Sequence, residues 1–471
     1  MAPDAALAAI AHYVCDQRRF SDAAYDAARD CLQDALGCAC AALNNADCRR
    51  HIGPIVPGAV LPGGARVPGT DLELEPVHTA FNIGCLIRWL DYNDTWLAAE
   101  WGHPSDNLGA ILACADYLSR SQRARGQAPL KIRDVLNALI QAYEIQGVLS
   151  ISNSFNNLGI DHVILVRLAS AAVTARLLGG DEECVIAATS QALLDGGNLR
   201  VYRHAPNTGP RKSWAAGDAT ARGLRLALMS VQGEPGYPRA LSAPRYGFQD
   251  VLMHGKPLEI PRPFDAYIVE HVLFKLDYPC EFHAQSAAEA AVRLYPRVKD
   301  RLDDIARIQL TTQLPALRII DKRGPLRNPA DRDHCLQYIV AIGLLYGELQ
   351  YRHFEEPIAL DPRIDQLRDQ MEVTDHPRYN RDYLDPELRS VANKVTLHFR
   401  DGSFLEEAVE FPIGHPRRRA EGRPRLLAKF AENLQTKFSA NEIGQFLDLF
   451  ADREDLEAMP VDEFMNRWVR P

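Results

Sequence analysis

The 471-residue chain lacks the short signatures of the commonest cofactor enzymes. G-x-x-x-x-G-K-[ST] and G-x-G-x-x-G are absent, which excludes a P-loop and a dinucleotide-binding turn. H-E-x-x-H and G-x-S-x-G are absent too, and with them a zincin helix and a nucleophile elbow. The ten cysteines are scattered at 15, 31, 38, 40, 48, 85, 114, 184, 280 and 335, with no C-x-x-C among them. Cys38 and Cys40 fall within an expected helix, where they point in different directions. A cysteine-held iron–sulfur cluster or structural zinc is therefore not expected, and the thiols read as small buried hydrophobes. No run approaches 18 uninterrupted apolar residues, and the start has neither a basic region before an apolar core nor an Arg-rich, acid-poor character. These absences point to a cytoplasmic protein with no membrane partner, or a mitochondrial matrix form if the source is eukaryotic. The net charge of −9 argues against nucleic acid as the main partner, although local fields can oppose the global sign.

What is present is ordinary for a globular protein with a large core: 46% apolar and 24% charged residues. A prior of about 150 residues per domain gives two to four domains. The first 240 residues or so read as successive helices. Ser21 caps a segment with apolar residues at helical spacing, and similar segments follow near 107–120, 131–150, 163–178, 182–194 and 218–232. Gly179-Gly180 and Gly233 supply stops. Six prolines between 235 and 263 make 234–265 irregular, and this stretch reads as a connection between domains. Period-two alternation then appears at 307–311 and 394–400, and Asp401-Gly402 predicts a hairpin into 403–409. With helices near 284–296 and 333–348, this makes a smaller α+β domain of about 270–420. After Leu426 helical periodicity returns, and the tail packs back on the first domain.

Five segments combine titratable side chains with loop-like surroundings. In residues 91–107, DYNDTWLAAEWGHPSDN, Asn93, Asp94, Gly102 and Pro104 disfavour a helix. Asp91, Thr95 and His103 stand out there, and His103 can exchange protons near neutral pH. Asp94, Glu100 and Asp106 read as loop structure. The others are NLGIDH (157–162) with His162, YRHAPNTGPRKSW (202–214) with Arg203, His204 and Lys212, the stretch from Lys275 to His283, and NPADRDHCLQY (328–338) with Tyr338. Cations before a helix N-terminus suit anions. Each segment has a plainer alternative. His162 and His283 read equally as capping or packing residues, the 203–212 cations as a solvated turn, and Tyr338 as a core tyrosine. Arg417–Arg419, Arg423 and Arg425 read as a surface loop or subunit contact. Acid–base chemistry on an anionic substrate, without cofactor or metal, is the natural class.

Together DYNDTWLAAEWGHPSDNLGAIL (91–112), NSFNNLGIDHVILV (153–166), YRHAPNTGPRKSWAAGDATARGLRLALM (202–229), NPADRDHCLQYIVAI (328–342) and PIGHPRRR (412–419) resemble the MmgE/PrpD family over nearly the whole chain. The resemblance implies a mainly α fold, with a large all-helical domain (1–268 and 426–471) and a smaller α+β lid (269–425), in a homodimer. It implies removal of water from a small tricarboxylate, 2-methylcitrate, to give 2-methyl-cis-aconitate in propionate catabolism, with citrate a secondary substrate and no iron–sulfur cluster. Decarboxylation of cis-aconitate and epimerisation are the family's alternatives. Matched to the family's decarboxylase, Asp91, His103, His162, Lys212 and Tyr338 are implied to be catalytic. Thr95, Lys275 and His283 are implied to bind substrate, with Arg203 and His204 beside them. In this assignment Asp91 orients His103, and Asn93, where the decarboxylase has an acidic residue, marks the dehydratase branch. Residue types alone do not distinguish acid from base.

Overall fold

The computed structural model describes residues 2–16, 18–204 and 208–470. Four helices form the centre of the larger body: Pro76–Arg88, Leu108–Ala124, Val163–Leu177 and Arg211–Val231. Val163–Leu177 is buried on every side through Ala175, which fits its uniformly apolar sequence. Close approach depends on missing side chains. A Cβ on Gly84 would lie 2.8 Å from Gly217 Cα, and one on Gly217 would lie 2.6 Å from Phe81 O. The long helices Asp22–Ala42 and Ile132–Ser152 pack around this centre. Ser21 caps the first of them, accepting from Ala24 N at 3.0 Å. Gly179 and Gly233 take the left-handed conformation just past their helices.

The proline-rich stretch 234–265 is irregular, with one short helix, Phe248–Leu252. It is not a span between bodies, because Leu241, Phe248, Met253, Leu258 and Phe264 are buried in the same core as the first helices. The tail helices Arg419–Leu434, Ala440–Ala451 and Val461–Arg467 join that core through Phe430, Phe446, Phe464 and Trp468.

A second core gathers buried residues between Tyr278 and Val409. It packs around a four-stranded sheet ordered Met371–Asp375, Ile305–Thr312, Asn393–Phe399, Phe404–Val409. The first pair is parallel and the other two antiparallel. Gly402, at φ 85°, closes the expected hairpin. The helices Gln285–Val298 and Leu336–Tyr346 pack on each other beside the sheet. The basic run near 417–425 joins the bodies. Arg418 donates to Glu289 at 2.8 Å, while Arg419 donates to Val272 O at 2.8 Å. Among the described residues no helix is long and apolar enough to cross a membrane.

Candidate active site

The chemistry gathers where the central helices end. Pro76–Arg88 delivers Arg88 and, three residues on, Asp91. The short helical turn Pro104–Asn107 leads into Leu108–Ala124 and follows His103 directly. His162 precedes Val163–Leu177, and Lys212 lies in the first turn of Arg211–Val231. Several helix N-termini thus converge on one place and favour negative charge there. The 91–107 loop is pinned to the Lys275 segment by two backbone bonds of 2.8 Å between Thr95 and Leu273.

Asp91, Thr95, His103, His162, Arg203, His204 and Lys275, all singled out in the sequence, line one cavity. Lys212 and His283 stand behind its wall. Lys212 Nζ donates to Asp333 at 2.6 Å and to Asp91 at 3.3 Å. His283 is fully buried between Glu281 (2.8 Å) and the Tyr383 hydroxyl (3.1 Å). Tyr338 is elsewhere: its hydroxyl donates to His353 O at 2.6 Å inside the second core. It is a packed tyrosine whose hydroxyl is satisfied locally, so its placement in the site is corrected. Ala205, Pro206 and Asn207 of the 202–214 segment lie outside the described residues.

Asp91 is the hub. Its backbone holds φ 50°, a left-handed conformation that aspartate tolerates better than most residues. Its carboxylate accepts from Arg88 at 2.6 Å, Lys275 at 2.5 Å and Lys212 at 3.3 Å. Burial works against its charge, yet Arg88, Lys275 and Lys212 hold it well below the usual carboxylate range. His103 is not oriented by Asp91, whose nearest oxygen is 3.8 Å from Nε2. Nδ1–H instead donates to Asp94 O at 2.7 Å, with the Thr95 hydroxyl at 3.3 Å. That contact fixes the tautomer and leaves Nε2 as the free base. Burial, then the Arg88 and Lys275 cations, push His103 well below its ordinary value, so it is neutral near pH 7.

Two cavity side chains have unmet polar atoms. Both ring nitrogens of His162 and the Nε and Nη1 of Arg200 lack a hydrogen-bond partner among the described residues. His162 Nδ1 comes within 3.3 Å of Asp161 without hydrogen-bond geometry. Burial lowers His162 to about 3. Arg203, by contrast, is forked onto Asp161. Arg200 makes only longer ion-pair approaches, 3.8 Å to Asp161 and 3.9 Å to Glu100, and is a freer cation than the predicted Arg203. Buried polar groups left open in this way call for a polar ligand.

The sequence reading missed Arg88, Arg200, Asp333 and His334. Arg88 had a signal, as a lone charge in the apolar run Cys85-Leu86-Ile87-Arg88-Trp89-Leu90 placed i,i+3 to Asp91. His334 lay inside a flagged segment but was passed over for Tyr338. Asp94 accepts from Tyr143, and from Ser105 at 2.7 Å. Asn93 donates to Ser105 at 2.8 Å and to Asp106 at 3.3 Å, under the loop and away from the cavity wall. Asp91, Asp333 and His334 have the spacing of a metal cluster. The donor set does not fit one, because the Lys212 ammonium already sits on both carboxylates and Arg88 and Lys275 on Asp91.

The MmgE/PrpD N-terminal domain matches residues 8–261 and the MmgE/PrpD C-terminal domain residues 278–452. The chain is 53% identical over 464 residues to a 2-methylcitrate dehydratase of Escherichia coli, covering 98% of this chain and 96% of that protein. It is 52% identical over 471 residues to the Cupriavidus necator 2-methylcitrate dehydratase (99% and 97% covered). A mitochondrial 2-methylcitrate dehydratase of Yarrowia lipolytica is 49% identical over 466 residues (98% and 89%). The chain belongs to the MmgE/PrpD family.

Proposed function

We propose that this chain is a 2-methylcitrate dehydratase, removing water from 2-methylcitrate to give 2-methyl-cis-aconitate in propionate catabolism. The carrying observation is the buried cavity where a neutral histidine base, the open ring nitrogens of His162, the Arg200 guanidinium and a cation-loaded Asp91 face one another. The near full-length relatives of that name support the same reading.

Water elimination needs a base for a weakly acidic C–H next to a carboxylate, cations for the charge that builds there, and a proton for the leaving hydroxyl. His103 Nε2 is the base. Lys275 and Arg200 take substrate carboxylates, with Arg88 and Lys212 holding Asp91 charged between them. His162 supplies a hydrogen bond to the substrate. Asp94, Ser105 and Tyr143 keep the loop in place beneath His103. The reading includes a homodimer, supported by the exposed apolar residues Ile55, Val56 and Val60 on one loop and tested by sedimentation.

The test is incubation with 2-methylcitrate while following absorbance of the conjugated product. His103→Ala and Lys212→Ala are expected to lose about 10²–10⁴-fold in kcat while staying folded. Carbon dioxide release from cis-aconitate, with no turnover of 2-methylcitrate, would overturn the assignment.

A further inference from the structure

We propose that His334, held by Asp333 on the smaller body, is the second catalytic residue: its Nε2 gives the departing hydroxyl the proton that makes it water. The proposal rests on the dehydratase reading above.

Three observations carry it. The first is placement. His103, His162 and His204 reach the cavity from the larger body, and His334 reaches it from just before Leu336–Tyr346 of the smaller one. The second is orientation. His334 Nδ1–H donates to Asp333 at 2.6 Å, which turns Nε2 toward the cavity, 3.5 Å from Asp91 Oδ2. His103 Nε2 lies 3.8 Å from the other oxygen of the same carboxylate. The two imidazoles therefore flank Asp91, and a substrate lying across it presents its C–H to one and its hydroxyl to the other.

The third is a difference in what each ring leans on. His103 leans on a neutral carbonyl and faces Arg88 and Lys275, with Asp91 as its opposing carboxylate. His334 leans on the Asp333 carboxylate, with Asp91 and Glu281 also facing it and Lys212 as the opposing cation. Of the two, His334 is better built to hold a proton, and His103 to lack one. Burial and then Lys212 hold His334 to about 4. A polycarboxylate entering the cavity adds negative charge beside the His334 ring and raises it toward the working range.

The step balances. The C–H bond breaks as its proton passes to His103 Nε2, and its electron pair becomes the new C=C bond. The C–O bond breaks, and the hydroxyl leaves with its pair and takes the His334 proton. Solvent then removes one proton from His103 and returns one to His334, so no other reagent is consumed.

The experiment is the pH dependence of kcat for wild type, His334→Gln and Asp333→Asn on 2-methylcitrate, with folding followed by circular dichroism. His334→Gln is expected to lose about 10²–10⁴-fold in kcat, with KM within a few-fold. Its residual activity is expected to lack the alkaline limb that an essential acid imposes. Asp333→Asn removes the carboxylate that supports the imidazolium, so its alkaline limb moves to lower pH. An active wild type with His334→Gln within fivefold of it in kcat, or with the alkaline limb retained, overturns the proposal. If His334→Gln does not fold, an unmoved limb in Asp333→Asn overturns it and a lowered limb supports it. A wild type inactive on 2-methylcitrate overturns the dehydratase reading, and this proposal falls with it.

Discussion

Lys429→Met tests how the tail supports the site. Lys429 lies in Arg419–Leu434, is buried, and spends all three protons: on Asp34 at 2.6 Å, Tyr92 O at 2.7 Å and Lys275 O at 2.7 Å. Two of those partners are the backbone of the segments that carry Asp91 and Lys275. Replacement by methionine keeps most of the volume but leaves the Asp34 carboxylate buried and unpaired. Breaking a buried pair from one side costs about 3–5 kcal/mol. For a chain of this size that is on the order of 3–5 °C in Tm. Loosening Lys275 against Asp91 also degrades geometry, and a misplacement of about 1 Å is worth roughly 100-fold in rate. The assay is calorimetry with steady-state kinetics on Lys429→Met, Asp34→Asn and the double variant. The double variant is expected to regain part of the stability, since the uncompensated charge is gone, while the two carbonyls stay unmet. A Lys429→Met enzyme within about 1 kcal/mol and twofold in kcat of wild type would refute the reasoning.

Three further outcomes are expected. His162 and His334 are held to about 3 and about 4 against an ordinary 6.5, so the unfolded chain takes their protons first. The contribution of these two imidazoles is then fully present above about pH 6.5 and is lost as pH falls toward 4, at roughly 1.4 kcal/mol per unit for each. A stability difference between wild type and the His162→Gln, His334→Gln double variant that stays level from pH 7 to 5 in denaturant titrations would contradict this. Gly217→Ala places a methyl 2.6 Å from Phe81 O and 2.9 Å from Cys85 N, both rigid helix backbone. A loss of about 1–3 kcal/mol is expected by denaturant titration, as for other overpacked positions. Tyr338→Phe removes only the bond to His353 O, so stability should fall by about 1 kcal/mol while kcat stays within twofold. A large kcat loss there would return Tyr338 to the site.

The helices were legible because their apolar faces repeat at helical spacing: Glu182–Leu194 is found where the pattern put it, and Val163–Leu177 ends within a residue of it. The strand Met371–Asp375 was not legible, because it is a short, mostly exposed edge whose alternation offers only Met371 and Val373 before Asp375 ends it. The proline-rich 234–265 stretch misled for another reason. Proline marks irregular backbone but says nothing about whether that backbone is buried, and here its apolar side chains complete the first core.

The sequence by itself determined the helices and hairpin, the pooling of polar groups in loops, and the family. Those follow from local spacing, turn chemistry and long runs of shared residues. Only the tertiary structure decided which charges meet. Arg88, Lys212, Lys275, Asp333 and His334 come from segments as much as 246 positions apart, and no local rule pairs them. It also decided between His334 and Tyr338, four residues apart in one flagged segment. His334 lies in the turn before Leu336–Tyr346 and faces the cavity, whereas Tyr338, inside that helix, is turned into the second core by packing against Phe354 and Gln285–Val298.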